Sequence, residues 1–141
     1  CSADLRMPTM NLTPAAGRIG ALAALLLALA TIVGALGAHA LKGRLGADQY
    51  DVLQTAVHYQ FFHALGLLGV ALLLDRLPVP LLGVAAWLLF AGIVLFSGSL
   101  YALLAGAPRA LGVLTPLGGL ALIVSWCLVA LVLIRGVAAV R

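Results

Sequence analysis

The chain has 141 residues, 65% of them hydrophobic and 9% charged, with a formal net charge of +4 and a mean hydropathy of +1.22. Too few polar side chains remain to cover a surface facing water, which excludes a soluble domain. The eight Lys and Arg are scattered singly at the ends of apolar runs, where lipid headgroups attract them, so we expect membrane lipids and no nucleic acid as partners.

Residues 1–17 read as a flexible N-terminal extension ahead of one four-helix transmembrane domain, residues 18–141. Cys1 stands where an initiating methionine is expected. The plain reading is an upstream extension, with Met7 or Met10 nearer the natural start; the alternative is a lipidated N-terminal Cys of the bacterial lipoprotein kind. The other cysteine, Cys127, lies inside an apolar run, a poor geometry for a disulfide with Cys1.

Apolar runs follow over residues 19–38, 57–74, 81–104 and 111–133. Each is about 20 residues long, enough to cross a hydrocarbon core of about 30 Å as helix. None alternates polar and apolar residues as barrel strands do. The expected fold is therefore an all-α membrane protein, a four-transmembrane-helix bundle with up-down topology.

The first connection is the longest. Lys42 and Arg44 suit the membrane surface, and Gly46 is placed to cap a helix whose first turn carries Asp48 and Gln49. That helix is expected to run on into the second span, as an interfacial helical extension before it. The second span stops at Asp75 and Arg76, before Pro78 and Pro80; the third stops at Gly106 and Pro108. Thr115-Pro116 is either the entry to the fourth helix or a kink in it.

Arg6, Arg18, Arg76, Arg135 and Arg141 fall on one side of the membrane, and Lys42, Arg44 and Arg109 on the other. By the positive-inside rule the termini are expected in the cytoplasm.

Small residues recur on the spans: Ala30, Gly34, Gly37 and Ala38; Gly66 and Gly69; Gly92 and Gly98; Gly118 and Gly119. Membrane helices pack closely where side chains are small, so Gly34, Gly37, Gly66, Gly98, Gly118 and Gly119 are read as packing positions rather than hinges.

Polar groups are concentrated over residues 34–65, from the end of the first run into the second, where all three histidines lie. His39 closes the first span, where an imidazole can reach carbonyls or headgroups. Tyr59, Gln60 and His63 are expected on one inward face of the second helix, with His63 near Ser97 or Tyr101. Ser97, Ser99, Tyr101 and Thr115 complete the set of candidates for a polar core or ligand site. His58 sits about 140° around the helix from His63, so the pair cannot jointly grip one metal from a regular helix. No metal or cofactor is expected; haem or a metal held by His39 and His63 across helices is the low-lying alternative.

Four blocks carry a resemblance: Gly34-Ala-Leu-Gly-Ala-His-Ala-Leu41, Thr55-Ala-Val-His-Tyr-Gln-Phe-Phe-His-Ala-Leu65, Phe96-Ser-Gly-Ser-Leu-Tyr101 and Leu114-Thr-Pro-Leu-Gly-Gly119. In this order, over residues 18–133, the chain resembles the uncharacterised family that includes bacterial YgdD and vertebrate transmembrane protein 256. The resemblance implies a small four-helix protein of the bacterial inner membrane, or of the mitochondrial inner membrane in a eukaryote, and it carries over no activity. The positions matching its motifs are His39, Tyr59, Gln60, His63, Ser97, Gly98, Ser99, Tyr101, Thr115, Pro116, Gly118 and Gly119. The chain departs from the pattern at His58, often basic in the family, and at Gly46-Ala47, often Ser-Pro.

No Ser-His-acid set, CxxC pair, HExxH or phosphate loop is present, so no enzyme is expected. The favoured reading is a non-enzymatic packing or accessory subunit of a homo-oligomer or larger membrane complex. The alternative is a module binding or transporting a lipid headgroup, small solute or proton, with a polar core around His63. Against a proton relay stands the lack of any Asp or Glu within the spans.

Overall fold

The computed structural model describes residues 12–138, and every element among them is helical. The Cys1 alternatives and most of the N-terminal extension lie outside the described residues. Helix α1 spans Pro14–Leu36 and opens into a π-helical turn, Gly37–Leu41. Helix α2 spans Ala47–Arg76, α3 Pro80–Leu104 and α4 Leu114–Ala138, with a 3-10 turn, Arg109–Val113, leading into α4. Among the described residues, four helical segments are long and apolar enough to cross a membrane.

Helix starts follow local chemistry. Pro14 and Pro80 occupy first-turn positions, where no backbone donor is needed and the fixed φ suits the helix. Thr13 caps α1, its Oγ1 accepting from the Ala16 amide at 3.4 Å. Helix α1 therefore begins ahead of Arg18 and takes in residues 14–17, which the sequence reading assigned to the extension. Pro116 lies in the first turn of α4 and is an entry position, not a kink. Gly106, at φ 92°, supplies the left-handed residue that turns the chain out of α3.

Helix α2 starts as the sequence suggested. Gly46 precedes it, with the Gln49 side chain accepting the Gly46 amide at 3.2 Å. Its 30 residues reach about 45 Å at 1.5 Å per residue, more than the hydrocarbon core needs, so its first turns extend past the bilayer core.

Consecutive helices pack against one another, with α2 and α3 as the central pair. Ala16, Ile19, Ala23 and Ala30 form the inward stripe of α1, continued by Gly37 in the π-helical turn, and Gly118, Leu122, Ser125, Val129 and Val132 form that of α4. The first stripe advances by three, four or seven residues and the second by three or four, the spacing of one helix face. The core between them is built from Leu67, Val70, Leu82, Ala85, Ala86, Leu89 and Ile93.

Candidate functional site

The buried polar side chains link the helices in sequence. Gln60 on α2 is 2% exposed. Its Nε2 donates to the Leu26 carbonyl of α1 at 2.8 Å, and its Oε1 accepts from the Tyr101 hydroxyl of α3 at 2.8 Å. Ser97 on α3 donates to the Ala56 carbonyl of α2 at 2.9 Å. Between α3 and α4, Ser99 and Thr115 share a hydroxyl–hydroxyl bond of 2.7 Å, and Ser125 donates to the Ala85 carbonyl at 2.7 Å. Among the described residues no buried side-chain nitrogen or oxygen lacks a partner, as an interior without water demands. Beside this network a small cavity of about 170 Å³, lined by Leu26, Gln60, Ile93, Ser97, Gly98 and Tyr101 among others, is almost wholly apolar.

Tyr59, Gln60 and His63 do not share one environment, contrary to the expectation from helical spacing. Gln60 turns to α1 and α3, while Tyr59 stacks on Phe96 and His63 faces Trp126 of α4. Gln60 and His63 differ by about 60° around the helix. On a central helix touched from several sides, that rotation is enough to change neighbours. The prediction that His63 lies near Ser97 or Tyr101 is therefore corrected: its Nδ1 bonds the Tyr59 carbonyl of its own helix at 2.8 Å, and the ring lines a groove between α2 and α4.

That groove has a volume of about 460 Å³ and is lined by His58, Tyr59, Phe62, His63, Phe96, Gly119, Leu122, Ile123 and Trp126. His58 reaches it through its own tilted contact with Phe62, ring centroids 6.4 Å apart. His39 lies exposed in the π-helical turn. Gly37 packs against Leu53, ten residues before His63, so His39 and His63 are separated by roughly 15 Å along the helix axis. The fold does not bring that pair together.

The glycines divide. A Cβ on Gly34 would lie 3.3 Å from Val57 Cγ1, and one on Gly37 3.0 Å from Leu53 Cδ2, so both admit α2 to α1. One on Gly66 would meet the Trp126 ring at 2.5 Å, and one on Gly118 would strike the backbone of Phe96 and Leu95. Gly119 rests against the Phe96 ring at ordinary contact distance. Gly98 corrects the expectation: nothing lies within 4 Å of its Cβ position, so no helix approaches there. Gly92, outside the expected packing set, is pressed by Leu122, 2.7 Å from its Cβ position.

Sequence reasoning missed Phe96 as a wall of the groove and left Ser125 and Trp126 out of its candidate set. Ser125 was legible, since it falls on the inward stripe of α4. The seating of Trp126 over Gly66 was not, because it depends on how α2 and α4 are rotated.

Residues 33–119 match the family described as "Protein of unknown function (DUF423)". The chain is 46% identical over 118 residues to the UPF0382 membrane protein YwdK of Bacillus subtilis, covering 83% of this chain and 94% of that one. It is 38% identical over 103 residues to the UPF0382 inner membrane protein YgdD of Escherichia coli, covering 73% and 79%. It is 44% identical over 93 residues to a UPF0382 membrane protein of Staphylococcus haemolyticus, covering 66% and 75%. No solved structure matches the chain.

Proposed function

The chain belongs to the DUF423 family, whose relatives are named as membrane proteins, and from that premise we propose that it is a non-enzymatic packing or accessory subunit of a homo-oligomer or larger complex. We place it in the bacterial inner membrane, where the name of the YgdD relative puts that protein, with its termini in the cytoplasm by the positive-inside rule.

One observation carries this reading. Gln60, Ser97, Ser99, Tyr101, Thr115 and Ser125 direct their hydrogen bonds to one another and to helix backbone. A transport path needs polar atoms turned to a continuous wet route, whereas this network holds helices together. The outer face of α1, with Leu25, Leu29, Ile32 and Leu36 exposed at helical spacing, is available to a neighbouring protein helix.

Native mass spectrometry of the chain, extracted in mild detergent, tests the proposal. A defined oligomer, or one membrane protein bound in fixed stoichiometry, is expected. A monomer at every detergent ratio, with no stoichiometric partner, would refute it. A C-terminal reporter active only outside the cytoplasm would refute the orientation.

A further inference from the structure

The groove between α2 and α4 differs from the interior in one respect: its polar side chains keep unused hydrogen-bonding capacity. The His63 Nδ1 faces the Tyr59 carbonyl at 2.8 Å. A carbonyl only accepts, so this bond requires the proton on Nδ1, and in that tautomer Nε2 is an acceptor. Nε2 lies at the ring edge farther from the backbone, and the ring lines the groove. No hydrogen bond engages the His58 ring or the Tyr59 hydroxyl among the described residues.

We propose that this groove binds a membrane-soluble quinol, a planar aromatic ring bearing hydroxyl groups, with one hydroxyl donating to His63 Nε2. The inference goes beyond the accessory role above and is independent of it.

The walls argue for a flat ring. Tyr59 lies nearly parallel to Phe96, 21° between planes and centroids 4.3 Å apart, and to His63, 20° and 5.5 Å. Trp126 also lines the groove, tilted 49° to His63 with ring centroids 6.4 Å apart. Aromatic walls favour an aromatic guest, through offset and edge contacts. The indole is seated where Gly66 has no side chain, so the wall is formed before a ligand arrives. A volume of about 460 Å³ falls within the range of about 300–1,000 Å³ usual for small-molecule sites. Phe62 and Ile123 on the rim are 65% and 62% exposed, and on membrane-spanning helices that exposure opens the groove sideways to lipid.

The chemistry excludes the obvious competitors. No Lys or Arg lines the groove to meet a phosphate, and an acyl chain has no use for two imidazoles and a phenol. The oxidised quinone only accepts hydrogen bonds, so it can take the Tyr59 hydroxyl or a His58 N–H, as the quinol can, but not His63 Nε2. The preference for the quinol therefore rests on that one bond.

The test uses intrinsic fluorescence, because the chain has two tryptophans. Trp126 lines the groove, and Trp87, 53% exposed on α3, lies outside it. Trp87→Phe leaves Trp126 as reporter; Trp126→Phe leaves Trp87 as a control for ligand simply dissolved in the micelle. Decylubiquinol and decylubiquinone are titrated into the full chain in detergent.

The Trp126 signal is expected to quench saturably with decylubiquinol, about five- to tenfold tighter than with decylubiquinone, the worth of one hydrogen bond. The Trp87 signal should fall without saturation. His63→Leu should bring the two ligands to equal affinity. Ile123→Phe, a change at an exposed position that keeps both imidazoles, should weaken both ligands. Equal, unsaturable quenching of the two reporters would overturn the proposal. So would equal affinity for the two redox forms in the unaltered groove, or displacement of decylubiquinol by palmitoyl-oleoyl phosphatidylglycerol, which would mark a lipid site. Should His63→Leu fail to fold, the affinity ratio and Ile123→Phe still decide.

Discussion

The Tyr101 hydroxyl donates to Gln60 Oε1 at 2.8 Å, while the other end of the same amide donates to the Leu26 carbonyl at 2.8 Å. One side chain thus joins α1, α2 and α3 at a single level. In a medium without water neither end of the amide has a substitute partner, so the bond between these two residues fixes the rotation of α2 against both neighbours.

Replacing Gln60 by Leu should therefore cost about 1–3 kcal/mol, because it removes both bonds and leaves the Tyr101 hydroxyl unpartnered in the interior. Tyr101→Phe alone should cost less, near the average of about 0.6 kcal/mol for interhelical bonds in membranes. The double variant should be more stable than the sum of the two losses predicts, since it removes both partners together. Denaturant unfolding of the four proteins in mixed micelles measures that coupling; strict additivity would show that the two side chains act separately.

The run lengths, the breakers at Pro78, Pro80 and Pro108, and the cap at Gly46 specified the helices, because each acts within a few residues of itself. The site depends on rotation. Tyr59, Gln60 and His63 were grouped by spacing on α2 alone, but α2 is central, and its neighbours divide them between the polar network and the groove. Gly98 matches its family block as well as Gly118 does, yet only Gly118 meets another helix. Which glycine is pressed depends on the crossing point of α3 and α4, and no local pattern encodes that.

At Gly118 the consequence is measurable. A Cβ there would lie 2.8 Å from Phe96 Cα and 2.9 Å from the Leu95 carbonyl carbon. Backbone cannot swing aside as a side chain can. Gly118→Ala should thus push α3 and α4 apart at a cost of about 1–3 kcal/mol. Gly98→Ala, with open space around it, should be neutral or up to about 1 kcal/mol more stable through helix propensity. Thermal unfolding of the two variants side by side checks the contrast; a stable Gly118→Ala protein would contradict the crossing described here.

Ser125 tests how much a single hydroxyl contributes between α3 and α4. It is fully buried and donates to the Ala85 carbonyl at 2.7 Å, a carbonyl within the regular ladder of α3. Ser125→Ala leaves no orphaned donor and little void, so a loss of only about 0.5–1 kcal/mol is expected. Ser125→Val adds volume where α3 is already in contact and should cost more. If the alanine variant proved the worse of the two, packing would not be what limits this contact.

At the opposite end of the bundle from the π-helical turn, the Thr13 amide donates to Asp75 Oδ1 at 2.9 Å, so the last turn of α2 holds the first turn of α1. The two residues are 62 positions apart, and the bond binds the helix pair where its chains diverge. The bond is exposed, and its effect should be local. Asp75→Ala should speed hydrogen exchange in the first turn of α1 about fivefold, the equivalent of about 1 kcal/mol, and leave exchange near Gln60 unchanged. Asp75→Asn keeps an acceptor oxygen and should restore most of the protection. If Asn and Ala exchanged alike, the carboxylate charge near the α1 N-terminus, rather than the hydrogen bond, would be what holds this end.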